Sequence, residues 1–175
     1  MLEKPAPSFD QPLEMLAACH ERIETHLRTL ERLGPHLEAK GCDAEARSTA
    51  QAVLRYFDTG GALHHQDEDG DLFPLLRARA AAQGRDEIAA AVEELEREHE
   101  TMEAQWRRLR ERLLAIAQGE ARLDAEEVVR FAWLYRRHLD RESAALMPFA
   151  RQALDAKERA ALGSRMAARR GETPH

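Results

Sequence analysis

At 175 residues and 19.9 kDa, with 33% charged and only 5% aromatic residues, the chain has the size of one domain and the composition of long amphipathic helices rather than strands. A net charge of −6 with interleaved acidic and basic residues argues against a nucleic-acid partner, and the short basic stretch at Arg165, Arg169 and Arg170 reads as a solvated helix end. No stretch approaches the roughly 20 apolar residues of a membrane span, and Met1 to Pro12 lacks a basic region followed by an apolar run, so no membrane partner and a cytoplasmic location are expected.

Residues 1–9 form an expected extended, Pro-rich arm, followed by a helical bundle over 10–152 and a short helix with a loose tail over 153–175. Asp10 is the expected cap of the first helix. Leu13, Leu16, His20, Ile23, Leu27 and Leu30 form its buried stripe, and Gly34-Pro35 is expected to stop it. Cys19 reads as a small packing residue. With Cys42 it makes no CxxC spacing, which implies neither a zinc knuckle nor a disulfide framework. The second helix, capped by Asp43, carries Val53, Phe57, His64, Glu68, Leu72 and Leu75. Its Gly60-Gly61 pair suggests the close approach of another backbone or room for a ligand, and Gly70 and Pro74 an interruption. From Asp86 the third stripe runs Ile88, Val92, Leu95, His99, Met102, Trp106, Leu109, Leu113 and Ile116. The fourth helix, behind the capping box Asp124-x-x-Glu127, carries Val128, Phe131, Tyr135, His138, Glu142, Ala145 and Phe149. A second box, Asp155-x-x-Glu158, starts the extra helix. Four long amphipathic helices joined by short loops predict an all-α, up-down-up-down four-helix bundle.

Each of the four helices places one histidine in its apolar seam. Two of them belong to a repeat, His-x-x-x-Glu-x-x-x-Leu-(Phe/Met)-Pro, at His64 to Pro74 and at His138 to Pro148. Residues four apart project from one helical face, so each repeat offers an imidazole and a carboxylate to one point. Buried carboxylates cost several kcal/mol unless paired or metal-bound, and no lysine or arginine lies on these seams. The donor set therefore points to a metal site suited to iron, manganese or zinc. Glu24 and Glu103 also follow His20 and His99 at four residues, but they sit beside the seams and read as outer carboxylates or surface residues. His65 is an outside candidate for an extra ligand. His26, His36 and His175 fit no seam.

These residues, His20, His64-x-x-x-Glu68, His99 and His138-x-x-x-Glu142 with both Leu-(Phe/Met)-Pro tails, resemble the hemerythrin-like (HHE cation-binding) domain family over about residues 10–152. The resemblance implies two non-haem iron ions with a bridging oxo or hydroxo group. The metal ligands would be His20, His64, Glu68, His99, His138 and Glu142, with both glutamates bridging. Ferritin-like proteins carry Glu-x-x-His at three-residue spacing and do not match. The family's oxygen carriers have two histidines four apart on the third helix, where this chain has His99 and Glu103. The four-histidine, two-glutamate set is closer to the iron–sulfur cluster repair proteins. The resemblance thus implies a sensor, binding module or iron-handling protein for dioxygen, nitric oxide or peroxide, working with an unidentified electron donor or protein partner. The alternative it implies is a di-iron enzyme that reduces peroxide or nitric oxide, or repairs iron–sulfur centres.

Overall fold

The computed structural model describes residues 7–120 and 122–172, and His175 lies outside them. Among the described residues there are helices and no strands: α1 (Pro12–Lys40), α2 (Ala44–Tyr56), α3 (Ala62–Asp67), α4 (Phe73–Gln83), α5 (Asp86–Ala117), α6 (Ala125–Arg141), α7 (Met147–Ala153) and α8 (Ala156–Arg169). The segments α2–α4 and α6–α7 are continuous rods whose parts are joined by five-residue π-helical turns at Phe57–Gly61, Glu68–Leu72 and Glu142–Leu146. Four rods result: α1, α2–α4, α5 and α6–α7. Sequence neighbours pack on each other and α6 packs back on α1, which closes a four-helix bundle, with α8 laid against α1, α3 and the Glu68–Leu72 turn.

Asp43 caps α2 by accepting from Ala46 N, Asp124 accepts from Glu126 and Glu127 N, and Asp155 with Glu158 completes a reciprocal box at α8. At α1 the cap position falls on Gln11, not Asp10, whose backbone N–H turns to Ser8 Oγ instead. The predicted stop at Gly34-Pro35 is also not there: α1 runs on to Lys40. Pro35 forfeits one helical hydrogen bond, but continuing the helix buries Leu33 and Leu37 in line with Leu30, and that apolar gain prevails. The helix ends at Gly41, whose φ of 73° releases the chain into the loop. At Gly60 and Gly61 no other rod's backbone comes close. A Cβ at either position would press on an aromatic ring of the same rod, Tyr56 at 3.1 Å and Phe57 at 3.2 Å.

The proline tails of the two repeats explain the other turns. Pro74 and Pro148 have no N–H to give to the carbonyl four residues back, so an α-helix cannot run through them unaltered. Each rod takes in an extra residue instead: Phe73 N–H bonds Glu68 O and Met147 N–H bonds Glu142 O, five residues back. Both seam glutamates are the first residue of such a turn.

The apolar interior is in two parts. One gathers around Ile23, Leu27, Phe57, Met102, Leu113 and Phe131, the other around Leu13, Leu16, Phe73, Val92, Leu146 and Leu162. Between them, on all four rods, lies the level of His20, His64–Glu68, His99 and His138–Glu142. A polar layer therefore crosses the bundle, and apolar packing above and below keeps water from it.

Candidate metal centre

The six seam residues meet in that layer. Glu68, His64, His138 and Glu142 are completely buried, and His99 is 4% exposed. His20, with a side chain 11% exposed, marks the side nearest solvent. The donor atoms form two groups, each with its atoms within 4.8 Å of one another: His20, His64, Glu68 and Glu142, and then Glu68, His99 and His138. Glu68 belongs to both. Its Oε1 lies 3.0 Å from His64 Nε2 and its Oε2 3.2 Å from His99 Nε2, so each oxygen faces a different group.

These contacts are at ion-pair distances but lack hydrogen-bond geometry. His20 Nε2 lies 2.9 Å from Glu142 Oε2, yet His20 Nε2, both ring nitrogens of His64 and all four oxygens of Glu68 and Glu142 are buried without a hydrogen-bond partner. Leaving a buried polar atom unsatisfied costs about 1–3 kcal/mol, more for a charged group. A metal ion where these atoms converge would satisfy His20 Nε2, one ring nitrogen of His64 and the carboxylate oxygens that face it, and this donor set of imidazoles and carboxylates fits a first-row metal.

The second group shows the same preference. His99 Nδ1 donates to Asp69 Oδ1 at 2.7 Å and His138 Nδ1 donates to Glu98 Oε2 at 3.1 Å. With those hydrogens committed, the two rings point Nε2 at Nε2 across 3.1 Å. Two lone pairs at that distance repel unless a proton or a metal ion joins them. An outer carboxylate that fixes the tautomer of a ligating imidazole is a recurrent feature of metal sites. Around the first group, Ser143 Oγ lies 3.4 Å from His20 Nδ1, and the buried Cys19 thiol lies beside His64. Burial pushes that thiol's pKa up, but His64 and Arg22 outweigh it and bring the pKa below its ordinary value.

Without a metal, the charges lean on one another. Burial pulls His20 down, but Glu142 and Glu68 outweigh it and raise His20 to about 9; against the same burial, Asp69 and Glu68 raise His99 to about 9. Glu68 is pushed up by burial and held well below the usual carboxylate range by His64, His20 and His99.

The outer carboxylates are not the two at four-residue spacing. Glu24 binds Arg136 and Arg28, and Glu103 is 70% exposed with Arg107 at 3.9 Å, so both belong to the surface. Asp69 and Glu98 hold the histidines instead, each acting on a neighbouring helix. His65 joins neither donor group. Its ring stacks on His99, with centroids 4.0 Å apart, and on Tyr135. His26 stacks on Tyr56, and His36 meets Asp43 at 2.8 Å. The basic stretch is not a solvated helix end either: Arg165, Arg169 and Arg170 bind the buried Asp67 and Asp71. Among the described residues no helix is long and apolar enough to cross a membrane.

Comparison with known proteins agrees with this geometry. Residues 11–150 match the family model described as the hemerythrin HHE cation binding domain. An uncharacterized protein of Haemophilus influenzae is 32% identical over 164 residues, which span 93% of this chain and 92% of the relative.

Proposed function

The chain belongs to the hemerythrin HHE cation-binding family, and from that premise we propose that its polar layer holds two non-haem iron ions and binds a small diatomic molecule or peroxide as a sensor or binding module. The observation that carries this reading is the convergence of buried imidazole and carboxylate donors on two points that share Glu68, those of the first group without hydrogen-bond partners. His20, His64, Glu68 and Glu142 would hold one ion, and His99, His138 and Glu68 the other. Glu142, one helical turn from His138, is the second candidate bridge. Bound ferrous ions would supply electrons and open coordination positions to dioxygen, nitric oxide or hydrogen peroxide.

The protein's part is to orient and to exclude. Asp69 and Glu98 hold the Nδ1 protons of His99 and His138, leaving Nε2 free to bind. Phe57, Phe73, Met102 and Tyr135, each at most 4% exposed, pack in the apolar surroundings of the layer and keep bulk water out. Burial raises the pKa of Tyr135 far above its ordinary value, so its phenol stays protonated.

The test is to load metal-free protein anaerobically with ferrous iron, count iron per chain, and record optical spectra before and after adding air, nitric oxide or peroxide. Two irons per chain with a new charge-transfer absorption support the reading. No uptake, or retention of zinc with no spectral response, would sink it. Sustained consumption of peroxide or nitric oxide with a reductant would make the protein an enzyme instead.

A further inference from the structure

Three aspartates surround the shared glutamate in the first repeat, Asp67, Asp69 and Asp71, where the second repeat has Arg141, Ser143 and Ala145. Asp69 serves His99. Asp67 is completely buried and Asp71 is 7% exposed, and neither is in a donor group. Both are held by α8, which lies beyond the family match that ends at residue 150. Arg170 donates to the two oxygens of Asp67 at 3.2 and 2.6 Å. Arg169 donates to Asp67 and, at 2.6 Å, to Asp71, which Arg165 also reaches at 2.5 Å. Arg169 passes close over the turn: a Cβ at Gly70 would stand in ordinary contact with its Nη2, at 3.4 Å.

We infer that Arg169 and Arg170 are positioning residues of the metal centre: they form a cationic latch by which α8 holds the Asp67–Leu72 segment, and with it Glu68, in the place where it can reach both ions. The inference rests on the metal-binding reading above. Glu68 opens a π-turn behind a helix of only six residues, and π geometry has little stability of its own. Pro74 sets the turn from within the rod, and α8 holds it from outside, which the matching turn at Glu142 lacks among the described residues. Two uncompensated anions beside Glu68 would also draw the segment toward water, because a buried carboxylate is tolerated only when paired. The guanidinium forks cancel those charges and fix the direction of the backbone that carries Glu68.

The latch extends to the start of α1. Phe9 O packs so tightly on Gly163 that a Cβ there would lie 1.9 Å away, and Arg170 sits 5.6 Å above the Phe9 ring. Docking of α8 and retention of metal are therefore coupled.

Cobalt(II) is the probe, with affinity measured by chelator competition and ligand geometry by its visible absorption bands. Arg169→Gln with Arg170→Gln should weaken binding about 10–100-fold, the range for residues that orient ligands. Adding Asp67→Asn and Asp71→Asn removes the stranded charge, and should restore the melting temperature but neither the affinity nor the band shape. Arg169→Lys, which keeps the charge and the fold but loses the fork, should weaken binding severalfold and alter the bands. Leu113→Ala, a cavity at the far end of the bundle, should lower the melting temperature and leave cobalt affinity unchanged. Wild-type affinity in Arg169→Lys or in the fourfold variant, or an equal loss in Leu113→Ala, overturns the inference alone. A wild-type protein that takes up no cobalt overturns the metal-binding reading and the inference with it.

Discussion

Replacing Glu98 with glutamine separates ligand orientation from bundle stability. Glu98 Oε2 accepts from His138 Nδ1 at 3.1 Å, and Oε1 is held by Arg137 and, at 2.7 Å, by Arg141. Burial pushes the Glu98 carboxyl up, but His138 and Arg137 outweigh it and hold its pKa below the ordinary value, so it is an anion that favours the imidazole proton on Nδ1. Glutamine keeps the shape and removes the charge. Losing such a partner weakens metal binding about 10–100-fold, or ~1.4–2.8 kcal/mol at about 1.4 kcal/mol per tenfold. Stability should change less, because the side chains of Arg137 and Arg141 are 47% and 36% exposed and can turn to water. The assay is a two-step chelator competition with cobalt(II) or ferrous iron. One step should weaken by this factor and the other by no more than a few-fold. Glu103→Gln, at a 70% exposed site, should change neither step. If Glu98→Gln binds both ions as tightly as the wild type, or Glu103→Gln weakens one, the assignment of the outer carboxylates is wrong.

Metal removal should lower the melting temperature. Each site held a hundredfold above its Kd contributes about 2.7 kcal/mol, and with ~2–4 °C per kcal/mol in a chain of this size, two sites correspond to roughly 10–20 °C. Equal melting temperatures by calorimetry, with and without metal, would contradict a buried centre. The metal-free protein should also lose stability as pH rises. His20 and His99 are raised from 6.5 to about 9 on folding, so their contribution is complete below pH 6.5 and disappears as pH passes through 9. Melting curves of the metal-free protein should fall across that window. A flat or rising trend would show that these histidines are not paired with Glu68, Glu142 and Asp69 as described.

The seams were legible because four-residue spacing on one helix is a property of sequence. His64–Glu68 and His138–Glu142 needed no tertiary information. The expected interruption at Gly70 and Pro74 is the π-turn at Glu68–Leu72, whereas the matching turn at Glu142–Leu146 was not anticipated. For Glu24 and Glu103 the same spacing rule left open an outer carboxylate or a surface residue, and the surface reading holds; it could not point to Asp69 and Glu98, since it sees only neighbours on one helix. Asp69 acts on His99 in α5, and Glu98 on His138 in α6, across pairings that no spacing encodes. The α8 latch did leave a trace: Asp67 and Asp71 are four apart, and so are Arg165 and Arg169, two matched ridges. Only packing shows that they meet. At Pro35 the local stop signal was correct chemistry overruled by the burial of Leu33 and Leu37.

In the proposed centre two metal ions share Glu68 between the two donor groups. Anomalous diffraction from iron-loaded crystals tests it most directly. Two peaks are expected roughly 3.5–4 Å apart, as in other two-metal sites, one among His20, His64, Glu68 and Glu142 and the other among Glu68, His99 and His138. A single peak, a peak at His36 and Asp43 instead, or any of the six side chains turned to solvent would contradict it.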